Sequence, residues 1–214
     1  MTSARVEGEL KYTALTDRPL LELASAAVLG PARLGSARTV AELDRYLDTP
    51  DLRLAAARWA CRLRLRDGRT IVSLKGPAEH RPGDLLHLRP EVEGPAEAGT
   101  DPTAWPPSVA RDQLLAMTRG VALMERFRLE QQRTERSVSV GETRIGSLSL
   151  DRVRVMLGEG EIGRMAVVEL ELEPEALAEG FDHTPLSRAL SAVDGLAADP
   201  SSKFERAVAM LPRA

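Results

Sequence analysis

Ionisable side chains recur at every second position in at least five stretches of this chain, and most stretches favour one sign. Glu7, Glu9 and Lys11 alternate with Val6, Gly8 and Leu10, while Glu169, Glu171 and Glu173 alternate with Val168, Leu170 and Leu172. Between these acidic ends lie Arg62 and Arg64, Lys75, and then Arg133 and Arg136. Successive strand residues point to opposite faces, so a period of two writes one charged face and one aliphatic face. Like charges side by side repel, and a counter-charge must sit among them. Two sheets meet that need. One is open, with its charged face in water. The other closes on itself, abolishes its edges and turns the charge into a lumen. About eight strands leave room for side chains and one small ligand. Carboxylates on one wall suit magnesium or manganese, and guanidinium and ammonium groups opposite suit phosphate oxygens. A metal-bound triphosphate fits such a lumen; the residues alone leave the open sheet standing beside it.

Composition narrows the choice. Net charge is -3, so no basic field draws nucleic acid or an anionic membrane. No apolar run approaches the roughly 18 residues of a membrane span, and the first residues lack the basic and apolar regions of a signal peptide. A single cysteine, Cys61, excludes an internal disulfide or a multi-cysteine metal site, and fits a cytoplasmic protein. Of 29 basic residues only Lys11, Lys75 and Lys203 are lysines. A codon preference that replaces lysine wherever a guanidinium serves leaves lysine where a compact ammonium is needed.

Along the chain, a strand over 4–13 precedes a helix over 17–30, with Pro19 in its first turn and Gly30 at its end. Residues 37–48 read as extended and finish in the turn "YLDTPD", built by Asp48, Pro50 and Asp51. "ACRLRLRDGRTIVSLKG" reads as a hairpin turning at Asp67–Gly68. "HLRPEVEG" continues the alternation with Arg89, Glu91 and Glu93, residues 95–107 form a Pro/Gly-rich loop, and 107–125 read as helix. Three or four strands follow, and then two helices. The second of these opens on a capping box from Ser202 to Glu205.

In this order, "EGELK", "YLDTPDLRL", "CRLRLR", "SLKGP", "RPEVEG", "QRTERSV", "SLDRVRV", "VVELELE" and "SSKFERAV" resemble the CYTH superfamily, the triphosphate tunnel metalloenzymes. The resemblance implies an α+β fold: one domain over residues 1–214, a closed eight-stranded antiparallel β-barrel with helices packed outside. It implies metal-dependent hydrolysis of a triphosphate, most simply inorganic triphosphate, with Mg2+ or Mn2+ as cofactor. Glu7, Glu9, Glu169 and Glu171 would hold the metal. Lys11, Arg62, Arg64, Lys75, Arg133, Arg136 and Lys203 would hold phosphates, and Glu7, Glu9 and Lys11 are the expected catalytic residues. Glu91 and Asp151 are further lumen acids. Val167 stands where many members carry another glutamate. The substrate partner is a triphosphate or nucleoside triphosphate; the resemblance leaves room for a homodimer and for a separate helical CHAD-type protein.

Two rival functions accompany the first. An adenylate cyclase of the same fold needs a purine pocket, and seven aromatic residues offer no obvious stacking platform. A non-catalytic module for polyphosphate or nucleotide is the reading that Val167 favours. His80, His87 and His183 are too scattered to form a metal cluster, and Cys61, Trp59 and Trp105 read as packing residues.

Overall fold

The computed structural model of the chain describes residues 5–80 and 84–212. Eight strands carry the architecture: β1 (Arg5–Ala14), β2 (Arg38–Asp48), β3 (Ala60–Arg66), β4 (Arg69–Lys75), β5 (Leu86–Pro95), β6 (Met124–Val140), β7 (Thr143–Leu157) and β8 (Gly160–Leu172). They lie in the order β7-β8-β1-β5-β4-β3-β2-β6, and β6 pairs back onto β7. All of these pairings are antiparallel. The sheet is therefore a closed eight-stranded barrel, and the charged strand faces look into a lumen rather than into bulk water. Turn chemistry follows the sequence where the demand is steepest. Asp67 and Gly68 both take positive φ, 49° and 73°, as a two-residue hairpin turn matched to the strand twist requires.

The aliphatic faces point outward under helices. Helices α1 (Arg18–Ser25), α4 (Pro174–Ala178) and α5 (Thr184–Ser191) cover Leu10, Tyr12, Leu148, Leu150, Val168 and Leu170. Helices α2 (Arg53–Ala56) and α3 (Val109–Thr118) cover Cys61, Leu63, Val72, Leu74 and Val92. Each fully buried leucine or valine there contributes about 1.5–3 kcal/mol. Cys61 is one of these core residues, and burial pushes its thiol up, as a packing role requires.

A third cluster lies on the same strand faces as the lumen charges. Tyr46, Phe127, Leu129, Val153, Val155, Met165 and Val167 keep the parity of Asp44, Asp151 and Glu169, and pack against helix α6 (Lys203–Met210) through Ala207. Tyr46 stacks on Phe127 at 4.9 Å and meets Phe204 at 5.1 Å. One part of the barrel interior is thus apolar and abutted by α6, and the charged part lies beyond it.

Two helix boundaries differ from expectation, and two short helices were not foreseen. The helix read over 17–30 stops at Ser25; Val28–Leu29 and Ala32–Leu34 form a small hairpin about Gly30, φ 55°, whose second strand pairs with β6. The helix read over 107–125 stops at Thr118, because Arg119 and Gly120 both take positive φ, 52° and 72°, and β6 begins soon after. Helices α2 and α4 have four and five residues, too short to write a helical period into the sequence.

Candidate active site

The lumen holds a cavity of about 440 Å³. Glu7, Glu9, Lys11, Arg62, Arg64, Lys75, Arg133, Glu169, Glu171 and Lys203 all line it. Strand β1 sets the acidic wall: Glu7, Glu9 and Lys11 are only 5%, 4% and 4% exposed. Register places Glu9 opposite Glu171 and Lys11 opposite Glu169 on β8. Lys203 arrives from outside the sheet. The capping box of Ser202 and Glu205 fixes the start of α6, and the Lys203 ammonium donates to Asp151 and Glu169, both at 2.6 Å.

Every one of these cations meets a carboxylate. The Lys75 ammonium donates to both Glu7 oxygens at 2.6 and 2.8 Å and lies 3.2 Å from Glu91. Arg89 donates to Glu7 at 3.0 Å and also to Glu9, which lies 3.0 Å from Lys11. Arg133 clasps Asp151 with two bonds of 2.8 Å. Arg64 clasps Asp44 with two of 2.7 Å, and Arg62 sits 3.6 Å from the same carboxylate. Burial by itself would raise the Glu9 carboxyl, but Arg89, Lys11 and Lys75 hold it well below the usual carboxylate range. Burial likewise opposes Glu91, which Lys75, Arg62 and Arg5 bring down to about 2. Glu171 is the exception. Burial and then the neighbouring Glu7 push it up to about 7, against weaker help from Lys75 and Arg5.

Arg136 is not in the lumen, which corrects the expectation for it. Its guanidinium donates to the carbonyls of Leu23, Ala24 and Ala26 at 2.7, 3.1 and 2.5 Å, of Gly35 at 2.7 Å and of Leu34 at 3.2 Å, tying the end of α1 to the hairpin after it. Arg133 and Arg136 are an odd number of residues apart, so one strand cannot turn both to the same face. Glu91 and Asp151 do face inward. Arg89, Asp44, Glu42 and Gln131 were missed. The alternation of Glu42, Asp44 and Tyr46 in "ELDRY" was a usable signal. Trp59, read as packing, also lines the cavity, whereas Trp105 is core and donates to the Gly99 carbonyl at 3.0 Å. Asp48 and Asp51 build the turn as expected: Asp48 accepts from the backbone of Thr49 and Leu54, and Asp51 accepts from Arg53. His183 bonds Asp84 at 2.8 Å, and the side chain of His80 lies outside the described residues. A more open groove of about 1070 Å³ carries Arg152, Arg154 and Arg164, already matched to Asp17, Glu130 and Glu161.

The glutamates of β1 and β8 offer only oxygen donors, the type that magnesium and manganese take. Among the described residues no three His, Cys, Asp or Glu side chains converge as a ready metal cage. Three of the four glutamates are instead held by Lys75, Arg89, Lys11, Arg133 and Lys203, and Glu171 lies 3.4 Å from Arg5. Burial, and then the charge of Glu7, raises the Glu171 carboxyl, and a cation bound there would relieve both. By donor type and charge the set fits a hard divalent ion.

The family model for the CYTH domain matches residues 7–191. The chain belongs to the CYTH domain family. No curated protein matches it. Solved structures do, and the CYTH barrel aligns over nearly its whole length. A protein of Hippeastrum, named as an adenylyl cyclase and described as having a dominant triphosphatase activity, is 18% identical with a TM-score of 0.67, covering 95% of each chain. A Bacillus halodurans protein named as an adenylate cyclase is 20% identical with a TM-score of 0.63, over 95% of this chain and 97% of that one. A Pyrococcus horikoshii protein is 18% identical, TM-score 0.55, over 94% and 98%. At these identities the likeness is one of fold. Among the described residues no helix of this CYTH chain is long and apolar enough to cross a membrane.

Proposed function

We propose that this CYTH protein hydrolyses a triphosphate within the lumen, inorganic triphosphate being the simplest substrate, with Mg2+ or Mn2+ as the cofactor. The observation that supports this most is the state of the lumen itself, where buried ammonium and guanidinium groups are balanced by buried glutamates around an accessible cavity. A polyanion entering alone would upset that balance, and a polyanion carrying divalent cations restores it. On entry Lys75, Lys11, Arg133 and Lys203 exchange carboxylate oxygens for phosphate oxygens, Arg62 and Arg64 add donors while staying on Asp44, and Glu7, Glu9, Glu169 and Glu171 are freed. A divalent ion held by those four would neutralise phosphate charge and polarise the bond under attack. The chain's own cations then hold the three phosphoryl groups in line and stabilise charge growing on the leaving diphosphate. Burial makes each such contact stronger than in water and excludes competing ions.

The test is phosphate release from tripolyphosphate, thiamine triphosphate and ATP with each metal. Turnover that Glu9→Gln removes supports the reading; absence of release from all three overturns it. Cyclase activity stands second, because Tyr46 and Phe204 border the cavity where the sequence offered no platform for a base. Cyclic AMP from ATP, in place of phosphate, would make it first. Tight polyphosphate binding without hydrolysis would make the protein a binding module.

A further inference from the structure

The loop from α2 into β3 reaches the same cavity and has no part in the reading above. It is a built loop. The Asp48 carboxylate accepts from the backbone N–H groups of Thr49, Leu54 and Ala55 at 2.7, 3.0 and 3.0 Å, and Arg53 donates to the Thr118 carbonyl at 2.7 Å. The chain then passes through Arg58 in the left-handed region, φ 61°, where a non-glycine residue is disfavoured. Trp59 follows, seated on Gly76: a Cβ added at Gly76 would lie 3.1 Å from the indole ring, so the glycine makes the room.

Both residues line the cavity and both have a free donor. Among the described residues Arg58 is the cavity-lining cation with no carboxylate partner, and the Trp59 indole N–H has no acceptor. Arg64 and Arg62 line the cavity from β3, Ala60 pairs with Lys75 on β4, and Arg58 lies just before that strand, where its positive φ breaks the alternation. The cavity therefore runs from cations that carboxylates already hold to one that none holds.

We propose that Arg58 and the Trp59 N–H form an outer anion subsite that takes a fourth phosphoryl group, so that the protein prefers a linear tetraphosphate over a triphosphate. The proposal rests on the lumen being the site of three phosphates. A guanidinium fork pairs with two phosphate oxygens at once, and the indole N–H adds a donor beside it.

The test compares tripolyphosphate and tetrapolyphosphate on wild type, R58G, R58K and W59F. Glycine suits the left-handed φ, so R58G removes the guanidinium without straining the fold. R58G is expected to lower kcat/KM for tetrapolyphosphate about tenfold, mainly through KM, and to leave tripolyphosphate within about twofold. R58K recovers part of the loss, since an ammonium cannot bridge two oxygens, and W59F loses about threefold. Equal change on both substrates, or change on neither, overturns the subsite. Calorimetric binding of the two polyphosphates to the same variants reads the same ratio without turnover. A chain that hydrolyses neither compound but still loses tetrapolyphosphate affinity in R58G refutes the hydrolase and keeps the subsite.

Discussion

Two groups of ion pairs share this lumen and are put to different use. On the β2, β3 and β6 side, Arg64 takes Asp44 in a two-bond fork, Gln131 donates to Asp44 and Glu42 at 2.7 and 3.2 Å, and Arg66 joins Glu42 at 3.0 Å and Glu135. Asp44, Glu42 and Gln131 do not border the cavity, and the Asp44 and Glu42 carboxylates are answered within the network, while the Gln131 Oε1 is buried without a partner. On the β1, β8, β5 and β4 side the cations share carboxylates, the cavity passes between them, and Glu171 is poorly compensated. Composition is nearly the same on both sides. The difference is charge closure: in the first group every carboxylate is matched without a ligand, and in the second Glu171 is not.

The largest way to break that contrast is Asp44→Ala. It takes from Arg64 its two-bond partner and from Arg62 its nearest carboxylate, and is expected to cost about 3–5 kcal/mol of stability, read as a fall in denaturation midpoint. Glu9→Gln on the other side keeps the shape, so its unfolding curve should move far less. Its expected loss is in turnover, about 10²–10³-fold in phosphate release with either metal. Should Asp44→Ala leave the midpoint unchanged, or Glu9→Gln unfold the protein as severely, the division into a structural and a functional side is wrong. A smaller step is Lys75→Arg. Lys75 contacts Glu7 and Glu91 as a point charge, and a planar guanidinium cannot reproduce that placement, so about a tenfold loss in kcat/KM is expected.

The functional side was the more legible one, for a physical reason. A two-residue period on Glu7, Glu9 and Lys11 is a statement about strand faces that needs no tertiary information, and all three line the cavity. The same arithmetic excludes Arg136, which the resemblance assigned to phosphate despite its odd offset from Arg133. Arg89 was hidden because it stands alone among acids in "HLRPEVEG". The apolar part of the lumen was not legible either. Val153, Val155 and Val167 share parity with Asp151 and Glu169, and no sequence pattern says where along a strand the interior turns from charge to hydrocarbon. That boundary is set by α6, which packs there through Ala207. Arg58 was missed because its backbone leaves the strand at positive φ, which ends the alternation used to find the others.

The smallest expected effect probes the incomplete side directly. Glu171 titrates near 7 in the folded chain, above its ordinary value of 4.5, because burial and Glu7 disfavour its charge. The unfolded chain therefore releases this proton first. Stability linked to the protonated group is fully present below about pH 4.5 and declines as pH rises to about 7, where the folded carboxyl ionises as well. Glu171→Gln removes the penalty. It should raise the melting temperature above pH 7 by an amount equivalent to less than about 1 kcal/mol, since the side chain is partly exposed, and the gain should vanish near pH 4. Adding Mg2+ or Mn2+ at pH 8 should stabilise the wild type more than Glu171→Gln, because only the wild type has that repulsion to relieve. Equal stabilisation of the two proteins, or a Glu171→Gln gain that persists at pH 4, would mean that this side of the lumen is as fully compensated as the other.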